Sequence, residues 1–438
     1  MKSRREFLKT AAVGTAGWAV GMNASSYARI LGANDRVNFA IAGLHGRGLA
    51  HLECLKLVPN AMVTHICDVD RREFPKFAAA AQAAFKQAPI QVQDFRKALE
   101  SKDVDVITVA TPEHWHAPMA ILGLQAGKHV YVEKPSSHNP REGELLLEAQ
   151  KKYGKLVQCG NQQRSSAHTI EIMAKIKEGL IGRPYFGKAW YSNTRGPIGV
   201  GKPVPVPPEL DWDLWQGPAP RRPYKDNIHP YNWHWLWHWG TGETLNNGTH
   251  EVDLCRWALG VDYPNRVSAA GGRYHFKDDW EFYDTLVTSF EYADQMITWE
   301  GMCCQGKQYY GRGRGATIHG TKGTVLIDRG GYQVYDLHDK LLTEVKAERG
   351  GETQDLRSID SMTTAHFKNL VDGIRSGAPL RAPVRDGQIG VTMLLLSNIA
   401  WKTGRVLNLE ATTGRIQNDP DAMKLWGREY ETGWEPKV

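Results

Sequence analysis

Between residues 37 and 159, short apolar runs alternate with longer segments of helical periodicity, and few folds accommodate that alternation. Residues 37–42 form an apolar run that ends in Gly43-Leu44-His45-Gly46-Arg47-Gly48, after which Leu49, Leu52, Leu55 and Val58 recur at helical spacing. This is a strand, a glycine turn and a helix. A second run over 62–67 ends at Asp68, 25 residues beyond Gly43. The pattern continues with helix 71–86, strand 104–110, helix 117–126, strand 129–132, helix 141–153 and strand 156–159. Strands that reach one another through helices make a parallel, doubly wound sheet. Beyond it, runs at 266–270, 285–290, 296–301, 316–319 and 324–328 predict strands of a mainly antiparallel sheet, and 366–376 and 390–403 predict helices. The expected fold class is α/β: a Rossmann sheet followed by an α+β domain with a large open sheet. Its expected boundaries are 36–160 for the nucleotide-binding unit and 161–438 for a substrate-binding unit whose C-terminal helices pack back on the first.

Residues 1–28 read as an address. Ser3-Arg4-Arg5-Glu6-Phe7-Leu8-Lys9 resembles the twin-arginine export signal, and the weakly apolar stretch 11–21 is too short to span a bilayer. Small residues at 26 and 28 predict cleavage after Ala28, giving a periplasmic or extracellular protein with no stable membrane insertion. The chain has 54 Lys/Arg and 48 Asp/Glu; this leader holds four of the former and one of the latter, leaving only +3 elsewhere. That balance is no electrostatic footprint for nucleic acid. The six cysteines show no metal spacing, and no metal site is expected.

Two strand ends carry chemistry. One reads Thr111-Pro112-Glu113-His114-Trp115-His116, the other Glu133-Lys134-Pro135, and ligands bind at the carboxyl ends of open α/β sheets. With Gly160-Asn161-Gln162-Gln163-Arg164, the tryptophan-rich segment 210–220 and Asn398-Ile399-Ala400, these motifs resemble the glucose-fructose oxidoreductase/inositol dehydrogenase (Gfo/Idh/MocA) family. The resemblance implies NAD as cofactor, with NADP as the alternative. The residues it places at the cofactor are Gly43, His45, Gly46, Arg47, Gly48, Asp68, Thr111, Pro112, His114, Trp115, His116, Glu133, Lys134 and Asn161. His45 departs from the glycine fingerprint, where a Cβ crowds the pyrophosphate, while Asp68 would repel a 2′-phosphate and so selects NAD. In the family the lysine of EKP reaches both the nicotinamide ribose and the substrate hydroxyl, which carries over to Lys134.

The general base is expected in the second domain. His250 falls in the first turn of a helix, and in related dehydrogenases an aspartate four residues earlier orients it. Here that residue is Asn246, which can orient an imidazole by hydrogen bonding but cannot take its proton. Arg164, Trp233, Trp235, Asn247, Thr249 and His250 are the expected substrate contacts. The segment Asn232-Trp233-His234-Trp235-Leu236-Trp237-His238-Trp239 would, if extended, set four tryptophans on one side as a carbohydrate platform. The implied function is oxidation of a sugar, polyol or glycoside at a carbinol carbon, with a retained, recycled cofactor and a homo-oligomeric assembly. Two other readings stay open. One is an NAD-dependent glycoside hydrolase working by transient oxidation, although the related α-N-acetylgalactosaminidases lack the lysine of EKP. The other is a non-catalytic sugar-binding protein.

Overall fold

The computed structural model describes residues 36–347 and 360–438; the expected export signal at 1–28 lies outside them. The first sheet has six parallel strands in the order β3-β2-β1-β4-β5-β6. They are β1 (Val37–Ala42), β2 (Ala61–Cys67), β3 (Ile90–Val92), β4 (Val106–Val109), β5 (His129–Val132) and β6 (Val157–Cys159). All four residues of β4 and five of the six in β1 are buried, as expected of strands covered on both faces. The strand order reverses between β1 and β4, and a crevice opens there at the carboxyl ends. The predicted helix 71–86 starts as a single 3₁₀ turn and becomes α-helical over Phe74–Phe85. β3 and helix Phe95–Glu100 have no counterpart in the predicted pattern.

The second sheet runs β15-β14-β13-β12-β7-β10-β9-β8-β16. Its long central strand β7 (Pro184–Thr194) pairs in parallel with β10 (Met296–Met302), and every other pairing along this path is antiparallel. β8 is Arg266–Gly272, β9 Thr285–Glu291, β11 Cys304–Gln305, β12 Arg314–Gly320, β13 Gly323–Asp328, β14 Gly331–Tyr335, β15 Leu341–Lys346 and β16 Leu407–Asn408. Helix Gly248–Leu259 lies on one face so closely that a Cβ at Gly187 of β7 would come within 2.8 Å of Cys255 Cβ. That packing fixes the height of His250 above the sheet. Helix Ser361–Ser376 returns to the first domain, where Phe367, Leu370 and Val371 share a core with Phe39 and Tyr131.

The tryptophan-rich segment is not extended. Residues Asn232–Trp235 form a 3₁₀ turn and the rest is tightly turned, so a period of two has no meaning there. Trp235 stacks on Trp280 at 4.1 Å, Trp237 on Phe282 at 5.0 Å, and Trp239 packs with Trp212 and Trp215. The stretch 203–223 crosses to the first domain: Arg71 N donates to Glu209 O, and Trp115 Nε1 donates to Trp215 O.

Candidate active site

A cleft of about 860 Å³ runs between the two domains, from the glycine turn to His250. At the glycine end the sequence dictates the backbone. Gly43 has φ +86°, and a Cβ there would lie 2.5 Å from Ala110 O; one at Gly48 would lie 1.8 Å from Gly43 O. No other residue fits either position. Asp68 accepts from Leu44 N at 2.7 Å and Asp70 N at 2.9 Å, so it braces the turn while also lining the cleft. Burial pushes its carboxyl up to about 6. The ring of His45 leaves the turn, with Nδ1 2.9 Å from Glu73 Oε1, so the side chain at the middle glycine position points to Glu73. A cradle in which added Cβ atoms would strike backbone, with a carboxylate at the tip of β2, fits a dinucleotide.

Arg47, expected at the cofactor, lines the cleft and is anchored there: its Nε donates to Glu133 Oε1 at 2.7 Å and Nη2 to Thr363 Oγ1 at 3.0 Å. Glu133 is a hub, since Oε1 also meets His51 Nε2 and accepts from Gln162 Nε2, each at 2.9 Å. Burial alone would raise this carboxyl, but Arg47, His51 and Lys134 hold it well below the usual range.

The reactive end centres on Lys134 and His250, which line the same stretch of cleft. Lys134 Nζ donates to Asn246 O at 2.5 Å and to Asn246 Oδ1 at 3.1 Å. Asn246 therefore positions the lysine and not the imidazole. The physical reason is a break in the helix: Gly242–Asn246 ends there, Asn247 is irregular (φ −119°, ψ −37°), and a new helix starts at Gly248. His250 Nδ1 is buried and has no hydrogen-bond partner. Burial, then Arg329, Lys134 and Arg314, hold its imidazole well below the usual range, so it is neutral and able to accept a proton. Glu113, which stands in the first strand-end motif, is buried in the same cleft wall and accepts from Thr241 Oγ1 at 2.5 Å. Burial raises its carboxyl and lowers the Lys134 ammonium, drawing the two towards neutrality together.

Gly46, Thr111, Pro112, Trp115, His116, Trp233 and Asn247 also line the cleft. His116 places its ring nitrogens 2.6 Å from Pro135 O and 2.8 Å from Thr111 O, tying the two strand-end loops together. Six expected contacts lie outside the lining, Gly48 among them because it packs against the backbone of the turn. Arg164 is locked in a bidentate pair with Asp253 at 2.6 and 2.8 Å. His114 Nε2 meets Trp215 O, Asn161 Nδ2 donates to Thr249 O, Thr249 Oγ1 donates to Leu245 O, and Trp235 is sealed against Trp280. Arg195, Arg314 and Arg329 line the cleft without belonging to any motif. They come from strand ends and turns scattered over more than a hundred residues, so no local signal marks them.

A family model described as an oxidoreductase family with an NAD-binding Rossmann fold matches residues 37–161, and the GFO/IDH/MocA C-terminal domain matches 170–326. The chain is 22% identical over 388 residues to the myo-inositol 2-dehydrogenase of Thermotoga maritima, covering 86% of this chain and all of that one. It is 31% identical over 209 residues to a glycosyl hydrolase family 109 protein of Saccharopolyspora erythraea, covering 43% of this chain but only 45% of that protein. Among solved structures, aldose-aldose oxidoreductase from Caulobacter crescentus superposes with a TM-score of 0.65 at 17% identity, covering 85% of this chain and all of that one. Levoglucosan dehydrogenase in complex with NADH and levoglucosan does so with a TM-score of 0.65 at 19% identity, covering 85% and 99%. With both domains matched in order and the glycine cradle in place, the chain belongs to the Gfo/Idh/MocA oxidoreductase family and its first domain is an NAD-binding Rossmann domain.

Proposed function

We propose that this protein oxidises a sugar, polyol or glycoside at a carbinol carbon. The observation that carries the reading is the meeting of Lys134 with an unpartnered, neutral His250 at one end of a cleft whose other end is a dinucleotide cradle. Bound at the glycine turn and Asp68, NAD supplies the two-electron acceptor for the carbinol C–H bond. His250 takes the hydroxyl proton, and the Lys134 ammonium, steered by both oxygens of Asn246, stabilises the negative charge growing on that oxygen. The neutral state of His250 supports the first role. The buried setting of Lys134 supports the second, because charge interactions strengthen where water is scarce.

The twin-arginine pattern at Arg4-Arg5 supports export in the folded state, with the cofactor loaded beforehand and held through each cycle by returning the electrons to a second substrate. A second reading, hydrolysis of a glycoside through transient oxidation, draws on the 31% identity to the family 109 protein. Mass spectrometry of the supernatant from denatured, purified protein tests the retained cofactor: about one NAD per chain is expected, and none would overturn it. Nitrophenyl glycosides assayed beside free sugars with added acceptor then divide the chemistry. Sugar oxidation without nitrophenol release is expected, and stoichiometric nitrophenol release without net oxidation would replace it with the hydrolase.

A further inference from the structure

The reactive end of the cleft holds three arginines, of which two are paired with carboxylates and one is not. Arg195 is paired with Glu243 and Arg314 with Glu251, each at 2.7 Å. Among the described residues, no carboxylate lies within ion-pair distance of Arg329, which sits in the turn between β13 and β14 and lines the cleft. Its Nε is buried with no hydrogen-bond partner, and so is Nη2 of Arg314. A guanidinium nitrogen withdrawn from water without an acceptor is costly, and two such nitrogens on side chains that line one cleft mark a place kept for an acceptor.

We propose that the sugar taken by this cleft carries an anionic group, a carboxylate or a phosphate, and that Arg329 binds it with Arg314 as the second donor. The proposal rests on the reading of the cleft as a sugar site. A planar guanidinium presents paired N–H groups that match two oxygens of a carboxylate or phosphate, which a neutral hydroxymethyl group cannot replace. Burial and then Arg314 push the Arg329 guanidinium down to about 10, and the more distant Glu251 and Asp360 offset this only in part. The groups facing His250 give the arrangement a consequence for catalysis. Arg329, Lys134 and Arg314 depress the imidazole and Glu133 opposes them, so an anion seated on Arg329 strengthens the base as the substrate arrives.

The test uses the full chain loaded with NAD⁺ and titrated calorimetrically with two matched pairs: methyl β-D-glucuronide against methyl β-D-glucoside, and glucose 6-phosphate against glucose. The expected result is about tenfold tighter binding of at least one anionic member over its neutral partner, a difference of about 1.4 kcal/mol. Preference in the first pair assigns a carboxylate, and preference in the second a phosphate. Arg329→Gln should bring the ratio within about twofold, and Arg329→Lys should restore part of it. Equal binding within both pairs, no binding of any probe, or a preference that survives Arg329→Gln overturns the proposal. So does a loss of NAD⁺ in that variant with the preference intact, which would assign the arginine to the cofactor. Absorbance at 340 nm separates this inference from the reading beneath it. Anion-selective binding with no NADH formed keeps the anion site and removes the dehydrogenase, whereas NADH formed equally from charged and neutral sugars does the reverse.

Discussion

At its first-domain end the cleft is walled by the Glu133 carboxylate, bonded to Arg47, His51 and Gln162, whereas its second-domain end carries His250 Nδ1, Arg314 Nη2 and Arg329 Nε, which have no partner. Both ends are buried and rich in charge, yet only the first satisfies itself. A closed network of this kind rigidifies the frame that holds a cofactor, and open donors and acceptors are what a substrate and its transition state can use. Substitutions at the two ends should therefore fail differently, the first in stability and the second in turnover.

The sharpest contrast comes from Lys134→Met, which should lower turnover by about 10³-fold while leaving the nucleotide bound, because the ammonium acts on charge that grows during reaction. Single-turnover rates alongside nucleotide content check it, and an unchanged rate would remove Lys134 from the chemistry. Glu133→Gln should instead cost about 2 kcal/mol of folding stability, read by denaturant unfolding, since it removes the charged acceptor that Arg47 and His51 share. Its sign with pH is fixed. The Glu133 carboxyl is held well below its ordinary 4.5 in the folded state, so its contribution is full above pH 4.5 and is lost as pH falls through the folded value. The wild type should thus lose stability in acid more steeply than this variant, and parallel curves would contradict the hub.

His250→Ala should lower kcat by about 10²-fold. Because burial and the surrounding cations hold the imidazole below its ordinary 6.5, the acid limb of the wild-type kcat profile should lie below pH 6.5, and a limb above that value would break the assignment. Asn246→Asp should have the smallest effect. A carboxylate facing Lys134 Nζ favours the ammonium that burial now depresses, and should move the alkaline limb of kcat upward by about one pH unit, or 1.4 kcal/mol. A shift of the acid limb instead would return Asn246 to orienting His250.

The legibility of the two ends in the sequence differs for a related reason. The frame is local: β1, the glycine turn and Asp68 follow from apolar period and steric need between residues 37 and 68, and the EKP motif places Lys134 at the tip of β5. Three-residue β3 was lost because Ile90 and Gln91 are exposed and leave no apolar run to read. The reactive end is assembled from distance. Arg314 begins β12 and Arg329 follows β13, and neither carries a pattern that would set it beside His250. The pairing of Asn246 with His250 assumed one continuous helix, and the break at Asn247 gave the asparagine to Lys134. Arg164 is the opposite case: it stands within a family motif, but Asp253 takes its Nε and Nη2 and Asp386 lies 3.6 Å from Nη1.

The most direct test of the account is the absorbance at 340 nm after one addition of methyl β-D-glucuronide or methyl β-D-glucoside to NAD⁺-loaded protein, wild type beside Lys134→Met, at equal nucleotide content. The account predicts a rise towards one NADH per chain in the wild type with at least one of these sugars, and about 10³-fold slower reduction in the variant. Equal rates in the two proteins would contradict it.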